Sequence, residues 1–365
     1  MRQTLLFIML ITVAGCAAYE LETRHVEPGM HETGPVWPSP PQTARIHYIK
    51  SISGPSDIGM KRSWVRKIMD ATFGKDETTE KLLRPYGVFA DSERIYVTDP
   101  GNRLLHVFDM SEKKYLEIKK ADKEGFESPI CVASDKNGEI YLSDSLLKRV
   151  FIFDKEGKYL REIGSDLFSR PAGIAIDEER LYVVDTHGHK ILAFSKKEGS
   201  FLFSFGKNGT GNGEFNYPTN IFAGKDKFLY ITDSMNFRVQ IFDANGNFIS
   251  TFGKHGDGSG DFSKPKGVAV DSEGNIYVAD AQFDAIQIFD KEGRLLLAFG
   301  DTGRGKGQLI LPAGLFIDKQ DKIYVADSYN NRIQIFQYLK EKGSTDQEAK
   351  DSSRERARTL EPSNP

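Results

Sequence analysis

The sequence predicts an all-β fold, a six-bladed β-propeller with four-stranded antiparallel blades. Three observations carry that prediction. The chain repeats itself six times, with Pro85, Pro129, Pro171, Pro218, Pro265 and Pro312 at equivalent places, spaced 44, 42, 47, 47 and 47 residues apart. Each unit holds three short β-rich segments separated by turn residues, such as Gly-Val-Ala-Val, Ile-Tyr-Val and Ile-Gln-Ile-Phe of the fifth. Five units continue into a fourth segment (YLEIK, YLREIG, FLFSFG, FISTFG and LLLAFG, starting at Tyr115, Tyr159, Phe201, Phe248 and Leu295), whereas the sixth runs from KIYVADSYNNRIQIFQ straight into a charged tail. Four antiparallel strands repeated radially make a propeller, and the sixth blade must take its last strand from elsewhere in the chain.

The elements follow in chain order. Residues 1–15 read as a secretory signal: one charge at Arg2, an apolar run from Leu5 to Ala14, then Val13-Ala14-Gly15-Cys16. The run is shorter than the roughly 18 residues that a spanning helix needs. Its last four residues resemble the lipobox of bacterial lipoproteins, which implies that Cys16 is acylated and begins the mature chain, with membrane lipid as its first partner. Several acyl chains at about 0.8 kcal/mol per buried methylene hold such a protein stably. Ala17 rather than Asp after the Cys resembles the sorting signal for the outer membrane, facing the periplasm. Residues 16–44, with five prolines and no sustained periodicity, read as the lipidated Cys and an extended tether.

The propeller is expected over 45–339. Arg45-Ile46-His47-Tyr48-Ile49-Lys50-Ser51-Ile52 resembles the fourth segments and is the expected strand that completes blade six, pairing the two ends of the ring and removing two open sheet edges. Residues 62–74 break the β pattern: apolar residues at 64, 65, 68, 69 and 73, Ser63 as N-cap and Gly74 beyond the C-terminus predict an inserted amphipathic helix, either a plug on the propeller or a partner-docking or channel-gating element that includes Trp64. Small inner segments such as Gly267-Val268-Ala269-Val270 suit a crowded axis. Residues 340–365 are polar and charged, and read as a disordered tail.

The units resemble NHL repeats. The resemblance covers residues 84–337 and rests on recurring Pro-x-Gly-[Val/Ile]-x-[Val/Ile]-Asp, [Ile/Leu]-Tyr-Val-x-Asp and Asn-x-Arg-[Ile/Val]-Gln-[Ile/Val]-Phe patterns, with Phe283 and Ala285 in place of the Asn and Arg of unit five. It implies a six-bladed propeller. It does not choose a function, because the family includes protein-binding modules, RNA binders and relatives among propeller lyases and lactonases.

Composition narrows the choice. Lys and Arg total 49 against 52 Asp and Glu, a net charge of −3 that becomes −4 when Arg2 leaves with residues 1–15, so no basic surface points to nucleic acid. With Cys16 acylated, Cys131 is the one remaining cysteine and no internal disulfide forms; it replaces a repeat glycine and reads as a small buried hydrophobe. Asp99, Asp144, Asp185, Asp233, Asp280 and Asp327 recur once per blade, and a residue repeated in every blade has a local task, accepting hydrogen bonds from the following turn, rather than forming a cation ring. FGKNGTGNGEF, FGKHGDGSGDF and FGDTGRGKGQL lead into the next blade's proline rather than a helix, so they are inter-blade loops and not phosphate cradles, with calcium at Asp257 or Asp261 the lesser reading.

Candidate binding residues remain at two places. In propeller lyases resembling this family, histidines directly after the blade proline bind metal. Here those positions are Tyr86, Ile130, Ala172, Thr219, Lys266 and Ala313, none of them histidine or carboxylate. Thr186-His187-Gly188-His189 offers two histidines that reach one face of a strand, yet no third zinc ligand is near in sequence, and the turn reads as solvated. No catalytic residue or metal set is assigned. The reading is a non-catalytic platform, its partner another protein contacting a propeller face through residues such as Tyr86, Thr219, Lys266, Trp64, His187 and His189, with no resident cofactor and no nucleic acid. The alternative is a lactonase-like hydrolase or lyase holding calcium or zinc in the central channel.

Overall fold

Six repeats become six antiparallel sheets in the computed structural model, which describes residues 34–60 and 81–340. Blade one comprises Val88–Ala90, Arg94–Asp99, Leu104–Asp109 and Lys114–Ile118; blade two, Pro129–Ser134, Ile140–Asp144, Arg149–Phe153 and Tyr159–Ile163. Blade three comprises Pro171–Ile176, Arg180–Asp185, Lys190–Ser195 and Phe201–Phe205; blade four, Pro218–Ala223, Phe228–Asp233, Arg238–Asp243 and Phe248–Phe252. Blade five comprises Pro265–Val270, Ile276–Asp280, Ala285–Phe289 and Leu295–Phe299, and blade six opens with Pro312–Ile317, Lys322–Asp327 and Arg332–Tyr338. Among the described residues the helices are short 3-10 turns. Cys16, Trp64, the inserted segment 62–74 and the tail beyond residue 340 lie outside them.

The missing strand is where the sequence puts it. Ile46–Ile52 pairs antiparallel with Arg332–Tyr338, from Ile46 opposite Tyr338 to Ile52 opposite Ile333. The proline-rich stretch expected to be tether adds to the blade as well: Val36–Trp37 pairs with the closing strand and makes blade six five-stranded. Trp37 lies 5.7 Å from the Phe299 ring and 5.8 Å from Phe336, over Gly307, where a Cβ would collide with the indole. The periodicity missed this because two residues are too few to show alternation.

Both faces of each blade are covered by neighbours, so the second and third strands bury almost every position while the fourth strands alternate. Six apolar clusters result, one at each blade interface; that between blades one and two contains Tyr96, Leu105, Phe126, Phe151 and Phe153. Each such fully buried side chain contributes about 1.5–3 kcal/mol. Near the axis the inner strands touch backbone to backbone. Gly314 N–H donates to Tyr86 O at 2.7 Å across the closure of the ring, and a Cβ on Gly314 would run into that carbonyl. The axis is not lined by small residues throughout: Phe89 and Phe316 approach to 4.5 Å and Phe222 stands 6.3 Å from Phe316, crowding the channel with aromatic rings.

Candidate functional site

Each second strand ends in a fully buried aspartate, and these six acids build the rim of one propeller face. Asp144 accepts from Glu127 N, Ser128 N, Leu146 N and Leu147 N at 2.9–3.1 Å, joining the loop that enters the blade to the turn that follows the strand. Asp185 does the same for Ser169, Arg170 and Gly188, and Asp280 for Ser263, Lys264 and Gln282. The expected local role thus extends to the preceding loop. Burial pushes the Asp99 carboxyl upward, but the His106 ring and the Leu83 N–H more than offset this and hold it below the usual carboxylate range.

Hydroxyls then fix the residue after the proline at three of the six places. Thr98 Oγ1 donates to Ile130 O at 2.8 Å, Ser143 Oγ to Ala172 O at 2.6 Å and Thr232 Oγ1 to Lys266 O at 2.7 Å, each from one blade to the next. On the rim, Thr186 Oγ1 donates to Pro218 O and Ser234 Oγ to Pro265 O, both at 2.8 Å. The result is a rigid cup of about 410 Å³ at the channel mouth. Five of the six after-proline positions line it, Tyr86, Ile130, Ala172, Thr219 and Lys266, and His187 joins them.

His189 is not in the lining. Its Nδ1 accepts the Tyr217 N–H at 3.2 Å and its ring stands 4.8 Å from the Tyr217 ring, while His187 meets the same ring edge-on at 5.7 Å. The two histidines therefore bracket a tyrosine instead of converging on an ion. Among the described residues no three His, Cys, Asp or Glu side chains are grouped as a metal site requires. Sequence reasoning missed Arg170, Tyr217 and Met235, which also line the cup. The signal for the first two was at hand, since each immediately precedes a blade proline, two places before the candidate position that follows it.

The charge of the cup is one-sided. Its twelve lining residues include Arg170 and Lys266 and no carboxylate. Beneath it the channel narrows to a cavity of about 100 Å³ walled by Val88, Ile174, Ile221, Leu315 and the phenylalanines. Cys131 faces that cavity, and burial pushes its thiol up to about 11, which suits a packing residue and not a nucleophile. On the opposite face a broader hollow between blades two and three is lined by both signs of charge, already paired as Arg161 with Glu139 (2.9 Å) and Lys196 with Asp135 (3.7 Å).

Comparison with known proteins agrees with this architecture. A family described as 6-bladed beta-propeller matches residues 165–228 and 224–287, and the NHL repeat family matches residues 309–336. A probable peptidyl-alpha-hydroxyglycine alpha-amidating lyase of Caenorhabditis elegans is 26% identical over 179 residues, 48% of this chain and 47% of that protein, so the match spans about half the length of this curated relative. Among solved structures, a virginiamycin B lyase from Staphylococcus aureus superposes with a TM-score of 0.51 at 16% identity, covering 70% of this chain and 96% of the lyase. An auxiliary nutrient binding protein from Bacteroides thetaiotaomicron gives 0.56 at 14% identity, covering 71% and 70%. At these identities the structural likeness concerns the fold alone.

Proposed function

From a six-bladed β-propeller that carries an NHL repeat, we propose an exported lipoprotein that presents its propeller as a non-catalytic binding platform for another protein at the cell envelope. The observation that carries this reading is the cup: a built, rigid hollow on one face, walled by aromatic, apolar and cationic side chains and without an acid–base pair. Acyl chains on Cys16 hold the platform on the periplasmic side of the outer membrane. The likeness to an auxiliary nutrient binding protein is in keeping with a binding role.

The likeness to lyases supports a second reading, a propeller lyase or hydrolase working with a divalent cation. The residues fit it poorly. The after-proline positions offer no metal ligand, and His187 and His189 are turned against Tyr217.

Cross-linking in intact envelopes tests the first reading. It expects one stoichiometric protein partner and release of the chain from membranes in Cys16→Ser; repeated failure to capture a partner sinks the platform. One tightly held calcium or zinc per detergent-solubilised full chain, purified without chelator, would restore the enzyme.

A further inference from the structure

We infer that the cup takes a carboxylate-bearing segment of the partner protein, with the acid received by Arg170 and Lys266 and its neighbouring residues resting on Tyr86, Tyr217 and Met235. This rests on the platform reading and specifies its ligand chemistry.

Three observations lead there. Arg170 and Lys266 line the same hollow, on blades three and five, and among the described residues neither has a carboxylate partner. Two other arginines close to the rim are paired, Arg238 with Asp233 and Arg332 with Asp327, each at 2.8 Å. The acids closest to the cup in sequence are the buried aspartates, whose oxygens are engaged by backbone N–H groups; they keep their charge but form no ion pair with Arg170 or Lys266. Finally, blade four, between the two cations, carries Thr219, whose Oγ1 is buried without a hydrogen-bond partner. A buried donor lacking an acceptor is unfavourable unless something supplies one.

The remaining lining selects among anions. Tyr217 is 43% exposed and Met235 53%, large apolar surfaces beside the charges. A small inorganic anion would leave them wet, whereas an acidic peptide covers them. Because the cup is preorganised by hydroxyl-to-carbonyl bonds between blades, little ordering opposes binding.

The test is fluorescence polarisation with labelled hexaglutamate on the detergent-solubilised full chain, with hexalysine as control and inorganic phosphate as competitor. Binding of hexaglutamate that weakens with salt, and at least tenfold in Lys266→Glu and in Arg170→Glu, is expected. Lys291→Glu, on a remote exposed turn, should bind as the parent does, and all three variants should keep its melting temperature. No binding, or binding indifferent to both reversals, overturns the inference. So does phosphate competing as well as unlabelled hexaglutamate, or anionic phosphatidylglycerol vesicles that bind in its place. The two readings separate: a partner still cross-linked to Lys266→Glu leaves the platform standing without its acidic ligand. Peptide binding with no captured partner does the reverse.

Discussion

Arg332 reaches back from the third strand of blade six to Asp327, its Nε 2.8 Å from the carboxylate. The same guanidinium donates to the carbonyls of Arg304, Gly305 and Gln308 at 2.8–3.0 Å, so one side chain pins a whole inter-blade loop to the rim. Arg238 repeats the arrangement with Asp233, Thr210, Gly211 and Glu214. Blade five has Ala285 at this place, and its loop, with the same parallel bridge between His255 and Phe262, lacks the pin.

Ala285→Arg should therefore stabilise the propeller by about 1–2 kcal/mol, since hydrogen bonds to a charged group contribute more than neutral ones and the loop is already in place to receive them. Arg332→Ala should cost about 2–4 kcal/mol by leaving a buried carboxylate short of its partner. Denaturant melts of the two variants check both signs. A destabilised Ala285→Arg would mean that the side chains of blade five already occupy the space.

Trp37→Ala should lower stability by about 2 kcal/mol, below the 3–5 typical of a fully buried tryptophan because Trp37 is half-buried. The loss is expected at blade six first, where Trp37 covers Phe299, Phe336 and the outer edge of the closing strand. Hydrogen exchange should show faster opening of Ile46–Ile52 and Arg332–Tyr338 than of blade three. Uniform loss across all blades would instead indicate that the ring opens as one unit.

Each blade also places a buried tyrosine against a turn acid. Tyr96 bonds Asp91, Tyr182 Asp177, Tyr277 Asp271 and Tyr324 Asp318 at 2.9–3.0 Å, Tyr230 bonds Asp226, and Tyr141 bonds Glu139. Burial raises all six phenols, with the acid next in five of them; at Tyr182 the Arg180 hydrogen bond, which favours the phenolate, comes second and holds the rise to about 12. A folded-state pKa above the unfolded value of about 10 means that this stability is intact below pH 10 and is lost as pH rises through the folded values. Each tyrosine then removes about 1.4 kcal/mol per pH unit. Melting temperature should hold to about pH 10 and fall steeply above it, with phenolate absorbance appearing together with unfolding. Phenolate that appears while the fold persists would contradict the burial argument.

These relationships explain what the chain disclosed in advance. The six acids, the prolines and the closing strand were legible because every blade solves the same local problem with the same residues, so repetition reveals the task. Arg170, Tyr217 and Lys266 meet only because blades three, four and five converge on one axis, and residues 170 and 266 share no local pattern. Phe89, Phe222 and Phe316 were hidden for the opposite reason: their blade mates Ala133, Ala175 and Ala269 are small, and the average over six units suggested an axis without rings. Departures from the repeat carry most of what distinguishes this propeller from a uniform one.

The rim acids offer the sharpest separation of structure from function. Asp144 is fully buried and satisfies four backbone N–H groups, so Asp144→Ala strands several donors at once and should cost at least about 3 kcal/mol. Glu127 and Ser128 lead into the blade and Ile130 lines the cup, so the loss should loosen the mouth beside blade two as well as the global fold. Added calcium should raise the melting temperature of neither parent nor variant, because an acid engaged by backbone N–H groups has little left for a cation. A calcium-dependent rise in the parent that disappears in Asp144→Ala would return the six acids to the role of a cation ring.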